Sequence, residues 1–169
     1  MVLTKDELIG SLKDEIRILL HLVSKADPKQ LDYRASEKQR STLELLQYLT
    51  IVGPIHLRTI ASGAFSMDEF GNMWSTEGKA AASRGLEETR QEIGTLAAMF
   101  SEVIGAMSDE DLRAPIEMFG QKASRGLWIV RLVLNHYVAY RMQLFLYLKA
   151  SGREELNTMN LWVGVDGPM

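Results

Sequence analysis

The amino-acid sequence predicts an all-α protein, a four-helix bundle folded as a single domain over residues 1–169. Three observations carry that expectation. Four long segments place apolar residues three and four apart, the period of one helix face. Capping residues, proline or glycine bound those segments. The connections between them run to roughly a dozen residues or more, longer than a minimal up-down bundle needs, so a crossover connection is permitted.

The first segment opens on Thr4 with Glu7 three residues later, a reciprocal pair that satisfies two orphan donors of a first turn. Leu8, Leu12, Ile16, Leu19, Leu20 and Val23 follow at helical spacing. Asp27-Pro28 stops the helix, because the residue before proline is pushed out of helical geometry. The second segment covers about residues 41–60, with Leu43, Leu46, Leu49 and Ile55 on its buried side. Pro54 lacks a backbone donor and should kink this helix or begin a new turn. Residues 63–71 read as loop.

The third helix is expected over about residues 75–107, on a stripe of Ala81, Leu86, Ile93, Leu96, Phe100, Val103 and Ile104. Residues 108–112 read as a capped single turn. Residues 113–122, with Pro115 and Gly120, read as an irregular or short extended segment. Ser124 caps the fourth helix, which reaches about residue 150 with Gly152 at its C-terminal stop. The tail, residues 153–169, is expected to be mostly loop, with Leu161, Trp162 and Val163 packed back onto the body.

Composition removes several function classes. Net charge is −3 and no lysine or arginine block stands out, so no nucleic-acid partner is expected. There is no cysteine, which excludes disulfides, thiolate metal sites and cysteine nucleophiles. No uninterrupted apolar run approaches the ~18 residues of a membrane span, so no membrane partner is expected. Residues 1–10 lack a basic stretch followed by an apolar run, and a cytoplasmic location is the expectation. No histidine has glutamate three residues before it, which rejects a di-iron carboxylate site. Phosphate-loop and nucleophile-elbow motifs are absent.

The most informative stretch is Asn135-His136-Tyr137-Val138-Ala139-Tyr140-Arg141-Met142-Gln143. His136 and Tyr140 are four residues apart and leave one helix face a turn apart, where a helix would offer two metal ligands. The second position holds a phenol. His136 reads as a ligand, a general base, or a buried histidine bonded to Tyr48 or Tyr140. The tyrosines read as ligands to a harder ion or as space-filling residues with satisfied hydroxyls. His21 and His56 read as surface or boundary residues, with His56 open to a rearranged site near the end of the second helix. Arg34 and Arg141 could neutralise an anionic ligand or form structural pairs. Trp74, Trp128 and Trp162 read as hydrophobic anchors, or as a pocket or dimer lining.

The segment Ser41-Thr42-Leu43-Glu44-Leu45-Leu46-Gln47-Tyr48-Leu49 and the stretch from Asn135 to Gln143 together resemble the DinB-like (DinB/YfiT-like) superfamily. In that family a histidine usually stands at the position of Tyr48. The fourth helix usually carries a histidine, three residues, a second histidine, then Arg-Gly-Gln. The resemblance implies a four-helix bundle with an unconventional crossover, a homodimer, and a divalent metal, nickel or zinc, on three histidines at one end. It places the three ligand positions on Tyr48, His136 and Tyr140, with Arg141 and Gln143 as supporting residues and Met142 in place of the usual glycine. Relatives include transferases and isomerases that use low-molecular-weight thiols.

Two readings of function follow. The first is a DinB-like protein without assigned activity, in which Tyr48, His136 and Tyr140 line a pocket for a small-molecule ligand and hold no stable metal. A phenol, with a reference pKa of about 10, must lose its proton before it binds zinc or nickel well. The second is a diverged metal- or thiol-dependent transferase or isomerase. There His136 is the remaining metal ligand or the base, and the tyrosines are proton donors.

Overall fold

The computed structural model describes residues 3–167. The outermost positions of the expected domain, Met1, Val2, Pro168 and Met169, lie outside the described residues. Helix α1 spans Lys5–Val23, α2 Thr42–Ser62, α3 Met67–Ala82, α4 Leu86–Ala106 and α5 Asp109–Arg113. A hairpin of β1 (Pro115–Met118) and β2 (Gln121–Ser124) leads into α6 (Arg125–Ile129). A wider π-turn, Val130–Leu134, joins α6 to α7 (Asn135–Ala150). The protein is all-α, as expected, with this hairpin as its sheet.

Helices α1, α2, α4 and the α6–α7 unit form the bundle. Helix α1 packs on α4 and α7, and α2 packs on the same two, so the consecutive helices α1 and α2 stand diagonally opposite. Bonds between ends give the directions. Lys5, at the start of α1, donates to the Met107 carbonyl beyond the end of α4 at 3.0 Å. Gln47, early in α2, donates to the Arg84 carbonyl just before α4 at 2.7 Å. The Tyr147 hydroxyl, late in α7, donates to the Arg40 carbonyl just before α2 at 3.2 Å. The path is therefore up, down, down, up. Two parallel neighbours, α2 and α4, need a long return between them, and α3 supplies it.

That return corrects two expectations. The single helix over residues 75–107 is two helices, broken at residues 83–85. Gly85 has an extended backbone and donates to the Glu88 carboxylate at 2.9 Å, which opens a new helix. The Gln47 side chain binds the carbonyls of Ala82 and Arg84 in the gap. Residues 67–71 are helix rather than loop. Ser66 caps α3 by accepting from the Glu69 amide, and Asp68 and Glu69 complement the positive end of its dipole. Gly71, at the end of the stretch read as loop, is tolerated on an exposed helix face.

Several other local expectations hold. Thr4 and Ser41 cap α1 and α2 with reciprocal glutamate bonds. Residues 113–122 are largely extended, and the hairpin turns at Phe119 and Gly120, both at positive φ (53° and 73°), the signature of a tight type I′ turn. Trp128 is an anchor, buried, with its indole donating to the Ile116 carbonyl. At Pro54 the outcome differs: α2 runs through it as one helix and no new turn begins there. In the tail, Leu161 is buried, but Trp162 and Val163 are exposed at 58% and 42%. Leu161 fills the available space against α1, and Trp162 is left outside beneath the Arg141 guanidinium. Among the described residues, no helix is long and apolar enough to cross a membrane.

The core collects Leu12, Ile16 and Leu19 of α1, Leu46 and Leu49 of α2, Phe100 of α4 and Tyr137 of α7, all buried. Gly53 sets how closely α2 and α7 approach. A Cβ there would stand 2.8 Å from Phe100 Cζ and closer still to Tyr137. Without it, the buried Tyr137 ring lies on α2 and its hydroxyl donates to the Leu49 carbonyl at 3.0 Å. Next along the chain from Tyr137 is His136.

Candidate functional site

The fourth helical unit buries Ile129, Val133, Tyr137 and Arg141, every fourth residue. In a straight α-helix such a series drifts by ~40° per step. The π-turn Val130–Leu134 takes in an extra residue and absorbs the drift. It keeps Tyr137 and Arg141 pointing inward while His136 and Tyr140 face α2 and α3, each half-buried.

There the three expected positions converge. The Tyr48 and Tyr140 rings meet edge to face with centroids 5.2 Å apart. The Tyr140 and His136 rings stack at 5.9 Å. His56 joins them, with its ring centroid 5.2 Å from that of His136. Trp74 of α3 packs on His56 at 5.9 Å and stacks on Tyr48 at 5.7 Å. Five rings from α2, α3 and α7 thus make a closed circuit: Tyr48, Tyr140, His136, His56, Trp74. Phe70 backs it from α3, 5.5 Å from His56.

Arg141 and Gln143 lie elsewhere. Arg141 is buried against α1, paired with Glu15 (Nε to Oε2, 2.7 Å) and bonded to the Leu161 carbonyl. Gln143 donates to the Tyr147 hydroxyl at 2.7 Å. Both have structural bonds and neither lines the ring circuit. Arg34 pairs with Glu44 at 3.4 Å. His21 is a boundary residue, its Nε2 3.1 Å from the Asn160 amide.

His56 corrects the surface reading given to it: it is buried. Eight residues after Tyr48, it returns to within ~80° of the same helix face, a spacing that the sequence displays. Trp74, read as an anchor or a pocket lining, stood just outside the helix expected from residue 75, whereas it lies within α3. The Ser66 to Glu69 cap is the signal that would have placed it.

The electrostatics favour neutral groups. His56 Nδ1 lies 2.7 Å from the Val52 carbonyl, which can only accept, so Nδ1 carries the proton and Nε2 keeps a free lone pair. Burial pushes the His56 pKa down to about 4; the Val52 bond opposes this and His136 adds to it. Burial also lowers His136, against the Leu132 backbone. Burial first, then the neighbouring Tyr140, raise the Tyr48 phenol above its ordinary range, and Arg40 opposes them without reversing the shift. At neutral pH the circuit offers two uncharged imidazoles and a phenol that holds its proton.

Compared with solved structures, the chain aligns with the crystal structure of a DinB-like protein, YjoA of Bacillus subtilis. The TM-score is 0.68 over 89% of this chain and 95% of that one, at 16% identity. The chain has the DinB-like fold. No family model and no curated protein matches the sequence.

On this DinB-like bundle the donor set at the three implied ligand positions is one imidazole and two phenols. It does not fit zinc or nickel, which prefer neutral nitrogen at such sites, and the raised Tyr48 phenol opposes phenolate formation further. His56 supplies a second nitrogen from outside those positions. Among the described residues, no three histidine, aspartate or glutamate side chains gather around one point where a metal ion would sit.

Proposed function

We propose that this DinB-like protein binds a small organic ligand at the circuit of Tyr48, Tyr140, His136, His56 and Trp74, without a stably held metal. One observation carries the reading: phenols stand at two of the three ligand positions, and burial keeps the Tyr48 phenol protonated. The protonated Tyr48 phenol can donate a hydrogen bond to a ligand, and the free Nε2 of His56 can accept one from it. The ring faces add apolar area and the polar edges add orientation, the combination typical of small-molecule sites. The test is metal content. Protein purified without added metal should contain well under one equivalent of zinc or nickel by elemental analysis; stoichiometric metal would overturn the reading.

The pairing of His56 with His136 favours a second reading, a diverged transferase or isomerase of the thiol-using kind. A neutral imidazole with a depressed pKa is a proton acceptor, and a protonated tyrosine can donate to developing negative charge. If wild type conjugates a low-molecular-weight thiol and the His56→Ala and His136→Ala variants keep full activity, this reading fails. The proposal includes a homodimer, supported by the exposed apolar side chains Met142 and Leu146 on α7. A monomer at micromolar concentration by light scattering would remove it.

A further inference from the structure

The ligand class can be inferred from the surface beside the rings, an inference that rests on the ligand-binding reading above. An open cleft of about 490 Å³ runs between the first half of α2, the second half of α3 and residues 34–40. Ile51, Gly78 and Ala81 line it with apolar surface, and Gly78 and Ala81 are small enough to let a planar group lie close. Tyr48 and Trp74 form a wall, their planes 20° apart. Tyr48 is therefore shared between the cleft and the inner circuit.

The rim carries Arg34, Lys38 and Arg40 against Glu37 and Glu44, on a chain whose net charge is −3. Glu44 is committed: it accepts from the Ser41 amide at 2.7 Å and pairs with Arg34 at 3.4 Å. Among the described residues, neither Lys38 nor Arg40 has a carboxylate within ion-pair distance, and Glu37 has no cation within it. The uncommitted rim is thus one positive charge in excess, which matches a monoanion. Arg40 is also oriented. Its Cζ lies 3.9 Å from the centre of the Tyr48 ring. Stacking fixes the guanidinium plane and leaves its N–H edge available for a carboxylate, so little is lost in ordering it on binding.

We propose that this cleft binds a small carboxylate bearing a flat ring, with the ring against the Trp74 and Tyr48 wall and the carboxylate on Arg40 and Lys38. Three probes of one shape test it: 2-naphthoate, its neutral amide, and the cation 2-naphthylmethylammonium. The readout is the Trp74 indole N–H in nuclear magnetic resonance spectra of the full chain, assigned with Trp74→Phe. Naphthoate should shift that signal saturably and bind at least about tenfold more tightly than the amide or the amine, the scale of one charge-assisted hydrogen bond. A Lys38→Gln/Arg40→Gln variant should lose at least about tenfold in naphthoate affinity, with the amide's affinity unchanged. The proposal is overturned by an amine that binds as tightly as the acid, by no saturable shift with any probe at millimolar concentration, or by unaltered naphthoate binding in the variant. Metal content is a separate readout. Metal-free protein that ignores naphthoate removes only the ligand class, whereas stoichiometric zinc or nickel removes the metal-free pocket whether or not the cleft binds.

Discussion

Acidification should destabilise this protein through His56 before its carboxylates respond. The ring is buried and its pKa lies at about 4 in the folded chain, against 6.5 for the free group. Between those values the unfolded chain binds the proton more readily, so stability falls as pH falls. The contribution is intact above the unfolded pKa and fully lost below the folded one, a total of about 3 kcal/mol. About 2 kcal/mol of it is lost by about pH 5, where most carboxylates are still ionised. His136 is shifted in the same direction and adds to the slope. The assay is urea unfolding followed by circular dichroism at about pH 7.5 and about pH 5, on wild type and His56→Gln. Wild type should lose about 2 kcal/mol more than the variant on acidification. In wild type, the His56 ring proton followed by magnetic resonance should titrate well below the free value of 6.5. Equal pH dependence of the two proteins, or a His56 titration near the free value, would refute the argument.

Two further outcomes follow from the packing. Gly53→Ala places a methyl against Tyr137 and Phe100, and the overpacking should exceed the gain in helix propensity by about 1–2 kcal/mol in urea unfolding; a stability equal to wild type would mean that the two rings can move aside. Arg141→Ala leaves Glu15 unpaired with its side chain 14% exposed and should cost about 3 kcal/mol, part of which Glu15→Leu/Arg141→Met restores. A naphthoate affinity lowered in Arg141→Ala would contradict the placement of Arg141 away from the cleft.

Much of the fold was legible because its signals are local. Thr4 with Glu7, Ser41 with Glu44, and Ser124 each announce a helix start by chemistry contained within a few residues. The motif positions were legible too: Tyr48, His136 and Tyr140 do meet. What failed depended on competition between local signals. Residues 63–71 read as loop although Ser66 and Glu69 start a helix there, and the apolar stripe ran from Ala81 to Leu86 across Gly85, so the crossover helix was merged with its successor. Of the two roles open to Arg141, a site residue beside Tyr140 or a structural pair, the structure shows the pair. A helix turns ~100° per residue, so a neighbour in sequence faces elsewhere, here Glu15 of α1.

The sequence by itself determined the helical content, most caps and which residue types stand at the motif positions, since these follow from spacing and side-chain chemistry. Only the tertiary structure decided that α1 and α2 stand diagonally, and that a π-turn resets α7. It also showed that α3 lays Trp74 against His56 and Tyr48. Those outcomes depend on which helix faces find each other across a hundred residues, and Gly53 and Tyr137 settle that by the volume one lacks and the other fills.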